Sequence, residues 1–162
     1  MIFFDNRTDF EISGEILDLL ESIAQSVTNR NIELLLVSDD EIRALNAEFL
    51  GRDYATDVLS FPLDSSEIMG ELRESSIESN ADLSNQMPHL PLGSIVIALE
   101  MAKRVADSHN HSLQTELAIL FTHGLLHLLG YNHERDNGEH RVREREILAC
   151  FGIKTTLISR NS

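Results

Sequence analysis

The sequence predicts an α+β fold, a single domain in which a small mixed four-stranded sheet packs against helices. Three observations carry that expectation. Strand-length apolar runs and longer runs of helical period follow in the order β-α-β-α-β-(loop)-β-α-α-α, which suits one sheet covered by helices. No internal repeat and no linker separates two cores. With 162 residues, the chain is most simply one domain over 1–162, able to bury roughly two-thirds of the surface its unfolded form exposes.

The elements follow in order. "IFFDNR" reads as a short first strand. From Gly14 to about Val27, Ile16, Leu17, Leu20, Ile23, Ala24 and Val27 recur at helical spacing. "NIELLLVS" is a mostly apolar strand, and Ser38 caps a helix running to about Leu50, where "GRDYAT" breaks it. Glu41 stands three residues after Ser38, the capping-box arrangement in which each side chain satisfies a free backbone N–H. "DVLSFP" is another strand, closed by Pro62. Asp64 to Pro91 is rich in Ser, Asn and Glu, with Arg73 its one cation, and predicts a long, mobile, acidic surface loop with a helical turn near "GELRES". "GSIVIAL" is a strongly apolar strand, followed by helix from about Glu100 to Asp107 and a turn at "SHNHS". Ser112 is a good N-cap for the next helix. The last helix, from about Asn137 to Cys150, stops at Gly152.

Composition bounds function. The chain is 42% hydrophobic and 25% charged, which places it among ordinary globular proteins rather than disordered ones. "MIFFDNRTDF" reaches Asp5 too soon for a signal peptide, and "LAILFTHGLLHLLGY" falls short of the roughly 20 apolar residues that span a bilayer. A cytoplasmic chain with no membrane partner is expected. Cys150, the single cysteine, is expected to be a buried, inert thiol on the last helix, and nothing suggests an oxidising compartment. A net charge of −14 argues against broad nucleic-acid binding, which needs clustered cations, but leaves room for a small cationic site.

The most informative stretch is "HGLLHLLGYNH", with histidines at 123, 127 and 133. Residues four apart on a helix differ by about 40° and 6 Å, so His123 and His127 project from one face on adjacent turns. Gly130 tolerates the left-handed conformation that ends a helix, and the chain can then bring His133 back towards the pair. Three neutral imidazoles leave a fourth tetrahedral position open, the pattern of a catalytic rather than a structural zinc site. The remaining histidines, His89, His109, His111 and His140, are expected to be solvated.

A zinc peptidase of this spacing would carry a glutamate directly after the first histidine as general base. This chain has Gly124 there. Phosphodiester cleavage depends more on neutralising charge at the non-bridging oxygens, a task for a Lewis acid and nearby cations. Gly124 therefore turns the reading from peptides towards phosphates.

"HGLLHLLGYNHE", with "TDVLSFP" and "LNAEFLGRD", resembles the YbeY family of bacterial zinc-dependent endoribonucleases, over about residues 31–152. The resemblance implies one zinc ion held by His123, His127 and His133 on a central helix. It also implies single-strand endonuclease activity in ribosomal RNA maturation, notably at the small-subunit 3′ end, and in ribosome quality control. The implied partners are ribosomal RNA and the small ribosomal subunit with its proteins. Three departures stand out: Leu50 replaces the arginine expected to contact phosphate, with Arg52 two residues on as the nearest cation; Asn132 replaces an aspartate before the last ligand; Ser94 replaces another after Gly93. Glu116 lies seven residues before His123, either as a group orienting a ligand or acting as a base, or as a buried partner in the first helical turn. Arg141, Arg143 and Arg145, with Glu144 and Glu146 between, read as a solvated, salt-bridged face. Two rival readings remain: a zinc hydrolase of peptides or amides with Glu116 or Glu134 as base, and a non-catalytic assembly factor in which zinc closes the fold.

Overall fold

The computed structural model describes residues 1–63 and 91–160. The four strands are β1 (Ile2–Asn6), β2 (Ile32–Val37), β3 (Val58–Pro62) and β4 (Gly93–Ala98). The helices are α1 (Gly14–Val27), α2 (Asp39–Leu50), α3 (Leu99–Ser108), α4 (Leu113–Leu128), α5 (Glu139–Cys150) and the short α6 (Leu157–Arg160). They form one mixed sheet in the order β1-β2-β4-β3, with β1, β2 and β4 parallel and β3 antiparallel to β4. The α+β expectation holds. The expected acidic loop lies, apart from Pro91, outside the described residues.

The two central strands are apolar nearly throughout because helices cover both faces of the sheet. Leu34, Leu36, Ile95 and Ile97 pack with α1, α4 and α5, while Leu35, Val37, Val96 and Ala98 pack with Ile42 of α2. Twelve of the sixteen residues of α4 are buried, which explains why it is apolar all round rather than on one stripe. This helix is the centre of the fold, as expected.

Ser13, Ser38 and Ser112 accept bonds from the N–H groups of Ile16, Glu41 and Thr115, so all three helix starts carry a side-chain cap. The capping box at Ser38 is only half made. The Glu41 carboxylate instead accepts a bond from Arg7 Nη1 at 2.7 Å, a charged partner outweighing the Ser38 backbone N–H. Cys150 is exposed, a correction to the expected buried thiol: Ile147 and Leu148 take the core face of α5 and leave Cys150 turned outward. The helix expected to be the last, α5, begins at Glu139 rather than Asn137, because Asp136 accepts bonds from the N–H groups of Gly138 and His140 and so sets its start, and the short α6 follows it. No described helix is long and apolar enough to cross a membrane.

Two glycines let α4 approach the sheet. A Cβ on Gly124 would lie 2.9 Å from Ser60 Oγ and 3.1 Å from Ile95 Cγ2. Ser60 Oγ donates to the Gly124 carbonyl at 3.1 Å, bonding helix to strand across the same contact. At Gly93, where φ is +154°, a Cβ would lie 2.5 Å from the Phe61 carbonyl oxygen and 2.8 Å from Leu128 Cδ2. Gly93→Ala should therefore cost roughly 2–4 kcal/mol through backbone strain and overpacking. Urea unfolding measures it, and a loss below about 1 kcal/mol would show that strand and helix have room to part.

Candidate metal centre

Helix α4 delivers His123 and His127 on successive turns, with ring centroids 4.7 Å apart and Nε2 atoms 3.1 Å apart. The helix then ends in a Schellman turn. The Gly130 N–H donates to the His127 carbonyl and the Tyr131 N–H to that of Leu126, both at 3.0 Å, with Gly130 at φ +97°. Beyond the turn, Asn132 Oδ1 accepts from the Glu134 N–H at 3.1 Å, and the Asn132 carbonyl accepts from the N–H groups of Arg135 and Asp136. These bonds close a tight loop around His133. Its ring stands 5.2 Å from that of His123 and 5.6 Å from that of His127, and one nitrogen from each of the three rings falls within 4.8 Å of the others. Asparagine keeps the acceptor role that this loop needs from residue 132.

The donor set fits a metal ion. His123 Nδ1–H donates to Glu144 Oε2 at 3.3 Å, so His123 Nε2 presents a lone pair. His127 bonds to the backbone of Tyr131, and its Nε2 likewise faces inward. Two lone pairs 3.1 Å apart repel unless a proton or cation lies between them. Burial, followed by His123 and His133, pushes His127 down to about 4, so a proton is disfavoured at neutral pH. Two nitrogens on one tetrahedral zinc, bonded at about 2.0–2.1 Å, stand roughly 3.3 Å apart, close to the separation found. His123 is buried, His127 half-buried and His133 exposed, so the site is open on the His133 side.

Glu144 and His140 were missed by the sequence reading and correct it. Both are fully buried on α5, not part of a solvated face. The His140 ring stacks on that of His123 at 4.7 Å and 23°, while its nitrogens have no hydrogen-bond partner; the nearest carboxylate, Glu144 Oε2, is 3.8 Å away. Burial, then His123 and His127, pushes His140 down to about 3. Glu144 also accepts the Leu157 N–H at 2.9 Å, tying α6 to the site. A signal existed. Residues 140, 144, 147 and 148 share one helical stripe, and its last two members are the apolar Ile147 and Leu148.

Glu116 is fully buried and lies 2.8 Å from His111 Nε2, two helical turns from His123, so it takes the role of a buried partner in the first turn. His111 is thereby half-buried rather than solvated, because it covers that carboxylate. His109 is exposed as expected, and His89 lies outside the described residues. Ser94 Oγ donates to Glu33 Oε1 at 3.1 Å on the sheet and does not reach the cleft.

The three histidines open into a cleft of about 800 Å³. Arg52 and Leu50 line it on the side of the loop before β3; Arg141 and Leu157 line it from α5 and α6; Asp57 and Glu134 are its carboxylates.

Comparison with known proteins bears on this geometry. The model of the family described as "Endoribonuclease YbeY" matches residues 4–152. A protein of that name from Nautilia profundicola is 45% identical over 161 residues, covering 99% of each chain. Another, from Helicobacter pylori, is 44% identical over 161 residues, covering 99% of this chain and 98% of its own. The solution structure of TM1509 from Thermotoga maritima superposes with a TM-score of 0.53 at 23% identity, over 94% of this chain and 92% of that one, a likeness of fold.

Two predictions follow from the buried side of the site. Glu144→Gln keeps an acceptor for the Leu157 N–H but removes the charge behind His123. Zinc affinity, measured by competition with a chromophoric chelator, should fall roughly ten- to hundredfold with the far-UV spectrum unchanged. Metal-free protein should lose stability on acidification. The unfolded imidazoles titrate near 6.5, whereas the fold holds His127 to about 4 and His140 to about 3. Below 6.5 the unfolded chain takes up protons that the folded chain refuses. Stability is thus complete above that value and is lost as pH falls through about 4 towards 3. Urea midpoints across that range should flatten in His140→Leu, and an unchanged slope would show that His140 is charged when folded.

Proposed function

We propose that this chain, which belongs to the YbeY endoribonuclease family, is a zinc-dependent, single-strand-specific endoribonuclease of ribosomal RNA maturation. The proposal extends to the 3′ end of the small-subunit RNA, to ribosome quality control, and to the small subunit and its proteins as cytoplasmic partners. Residues 1–162 act as one domain. The single observation that carries the reading is the trio His123, His127 and His133 at the floor of a cleft that also holds Arg52.

The residues divide the work. His123, His127 and His133 would hold the ion, which when bound supplies Lewis acidity beside the scissile phosphate. Glu144 fixes the tautomer and orientation of His123 through Nδ1–H, and the His140 ring packs against the same imidazole. Arg52, exposed on the cleft wall, offers its guanidinium to a phosphate oxygen, the task vacated by Leu50. Asp57 and Glu134 are the cleft carboxylates able to carry a proton.

Gly124 speaks against the peptidase reading. It packs against Ser60 and Ile95 rather than facing the cleft, so a glutamate there would be driven into the sheet instead of towards a substrate. Of the two bases suggested for that reading, Glu116 is buried against His111, while Glu134 lines the cleft.

Zinc-loaded protein should cut single-stranded ribosomal RNA precursors, and His127→Ala should lower the rate roughly a hundredfold or more while retaining the fold. Product ends mapped on the gel check the cut site. Equal cleavage by both proteins would assign the activity to a contaminant, and zinc-dependent cleavage of casein would restore the peptidase.

A further inference from the structure

The cations that line the cleft single out one more residue. This is an acidic chain, of net charge −14, and carboxylates occupy four of its structured arginines. Arg7 pairs with Asp5 and Glu41, Arg43 with Asp53, Arg104 with Asp39, and Arg143 with Glu146. Among the described residues, Arg52 and Arg141 form no ion pair, both are exposed, and both line the cleft that holds the three histidines. They come from separate elements, the loop before β3 and the first turn of α5. The apolar Leu50, Val58, Leu157 and Ile158 line the same cleft.

An unpaired, planar guanidinium in a cleft is solvated in the free protein and available to two oxygens of a phosphate, whereas one already bonded to a carboxylate is not. With its neighbours Glu139 and Val142 also exposed, Arg141 has no packing role that would account for its place. We infer that Arg141 is a phosphate-gripping residue, and that Arg52 and Arg141 hold two backbone phosphates of one RNA strand on opposite sides of the histidine trio. The apolar part of the cleft lining suits the face of a ribose or base between phosphates. The inference rests on the RNA reading above and deepens it. It requires a substrate with phosphates on both sides of the bond that is cut.

The test is equilibrium binding of a fluorescent single-stranded RNA oligonucleotide to the zinc-loaded protein over a range of salt concentrations. Arg52→Gln, Arg141→Gln, the double variant and Arg145→Gln are compared with the unchanged chain. Arg145 is exposed on the same helix but lies outside the cleft, so it reports the effect of removing any surface charge. Each cleft substitution should weaken binding roughly two- to fivefold, with zinc content unchanged. Each should also make the slope of log K against log salt shallower by about 0.7, the double by about twice that, and Arg145→Gln should do neither. A slope for Arg141→Gln equal to that of the unchanged chain, while Arg52→Gln shifts, overturns the two-sided grip and leaves the endonuclease reading standing. A chain that neither binds nor cuts RNA overturns both.

Discussion

The approach of α4 to the β3–β4 edge of the sheet is the constraint on which the rest depends. The helix carries two of the three histidines, and its distance from β3 decides whether those rings reach the cleft wall that β3 and its preceding loop supply. A side chain at Gly124 would meet Ser60 and Ile95, and one at Gly93 would meet the backbone of Phe61. Absence of atoms at two positions thus sets the depth of the site. The cost is ordinarily about 1 kcal/mol for a glycine inside a helix. Here it is offset by burial along nearly the whole helix and by the Ser60 to Gly124 bond. Gly124 therefore has a packing reason that is independent of the chemistry its absent side chain would perform.

The site is built from the inside outward. Its buried half, His123 with Glu144 and His140 behind it, is held by charge and packing where water does not compete. Its exposed half, His133, sits on a loop fixed by the backbone and the Asn132 side chain. A carboxylate bonded to the far nitrogen of a ligand raises the basicity of the near one, whereas burial suppresses protonation. The first turns the lone pair of His123 to the common point and strengthens it as a donor; the second keeps His127 neutral near neutral pH. The rigid half needs the protein to be folded; the open half is where a substrate can enter.

How much of this was legible in the sequence follows from how each residue contributes. Helix α1 was readable because burial on one face wrote an apolar period into it, strands β2 and β4 and helix α4 because burial on all sides made them apolar runs, and the trio because metal geometry restricts spacing. The neighbour order of the strands was not, since each strand looks the same whichever partner it finds. Glu144 and His140 were passed over because polar residues on a charged helix are ordinarily solvated, and only their register with Ile147 and Leu148 tells otherwise. Cys150 erred the other way: an apolar residue type two positions after Leu148 falls on the outer face. Arg52 and Arg141 lie 89 positions apart, and only the fold brings them to one cleft.

An acidic enzyme of an acidic polymer looks contradictory only if charge is summed over the whole surface. At physiological salt the field of an exposed charge decays within about 8 Å, so carboxylates elsewhere on the fold act weakly on a strand lying in the cleft. On the proposed reading, what the strand would meet is local: two unpaired arginines, the carboxylates Asp57 and Glu134, and an ion on three imidazole ligands that add no charge of their own. A broad basic surface would bind any nucleic acid along its length, and would do so through contacts unrelated to the reacting bond. Confining attraction to the cleft places the binding energy next to the phosphate that reacts, and the acidic remainder of the surface disfavours every other docking of the same polymer. On this argument the net charge and the proposed activity are not in opposition, because the first restricts where the second can occur.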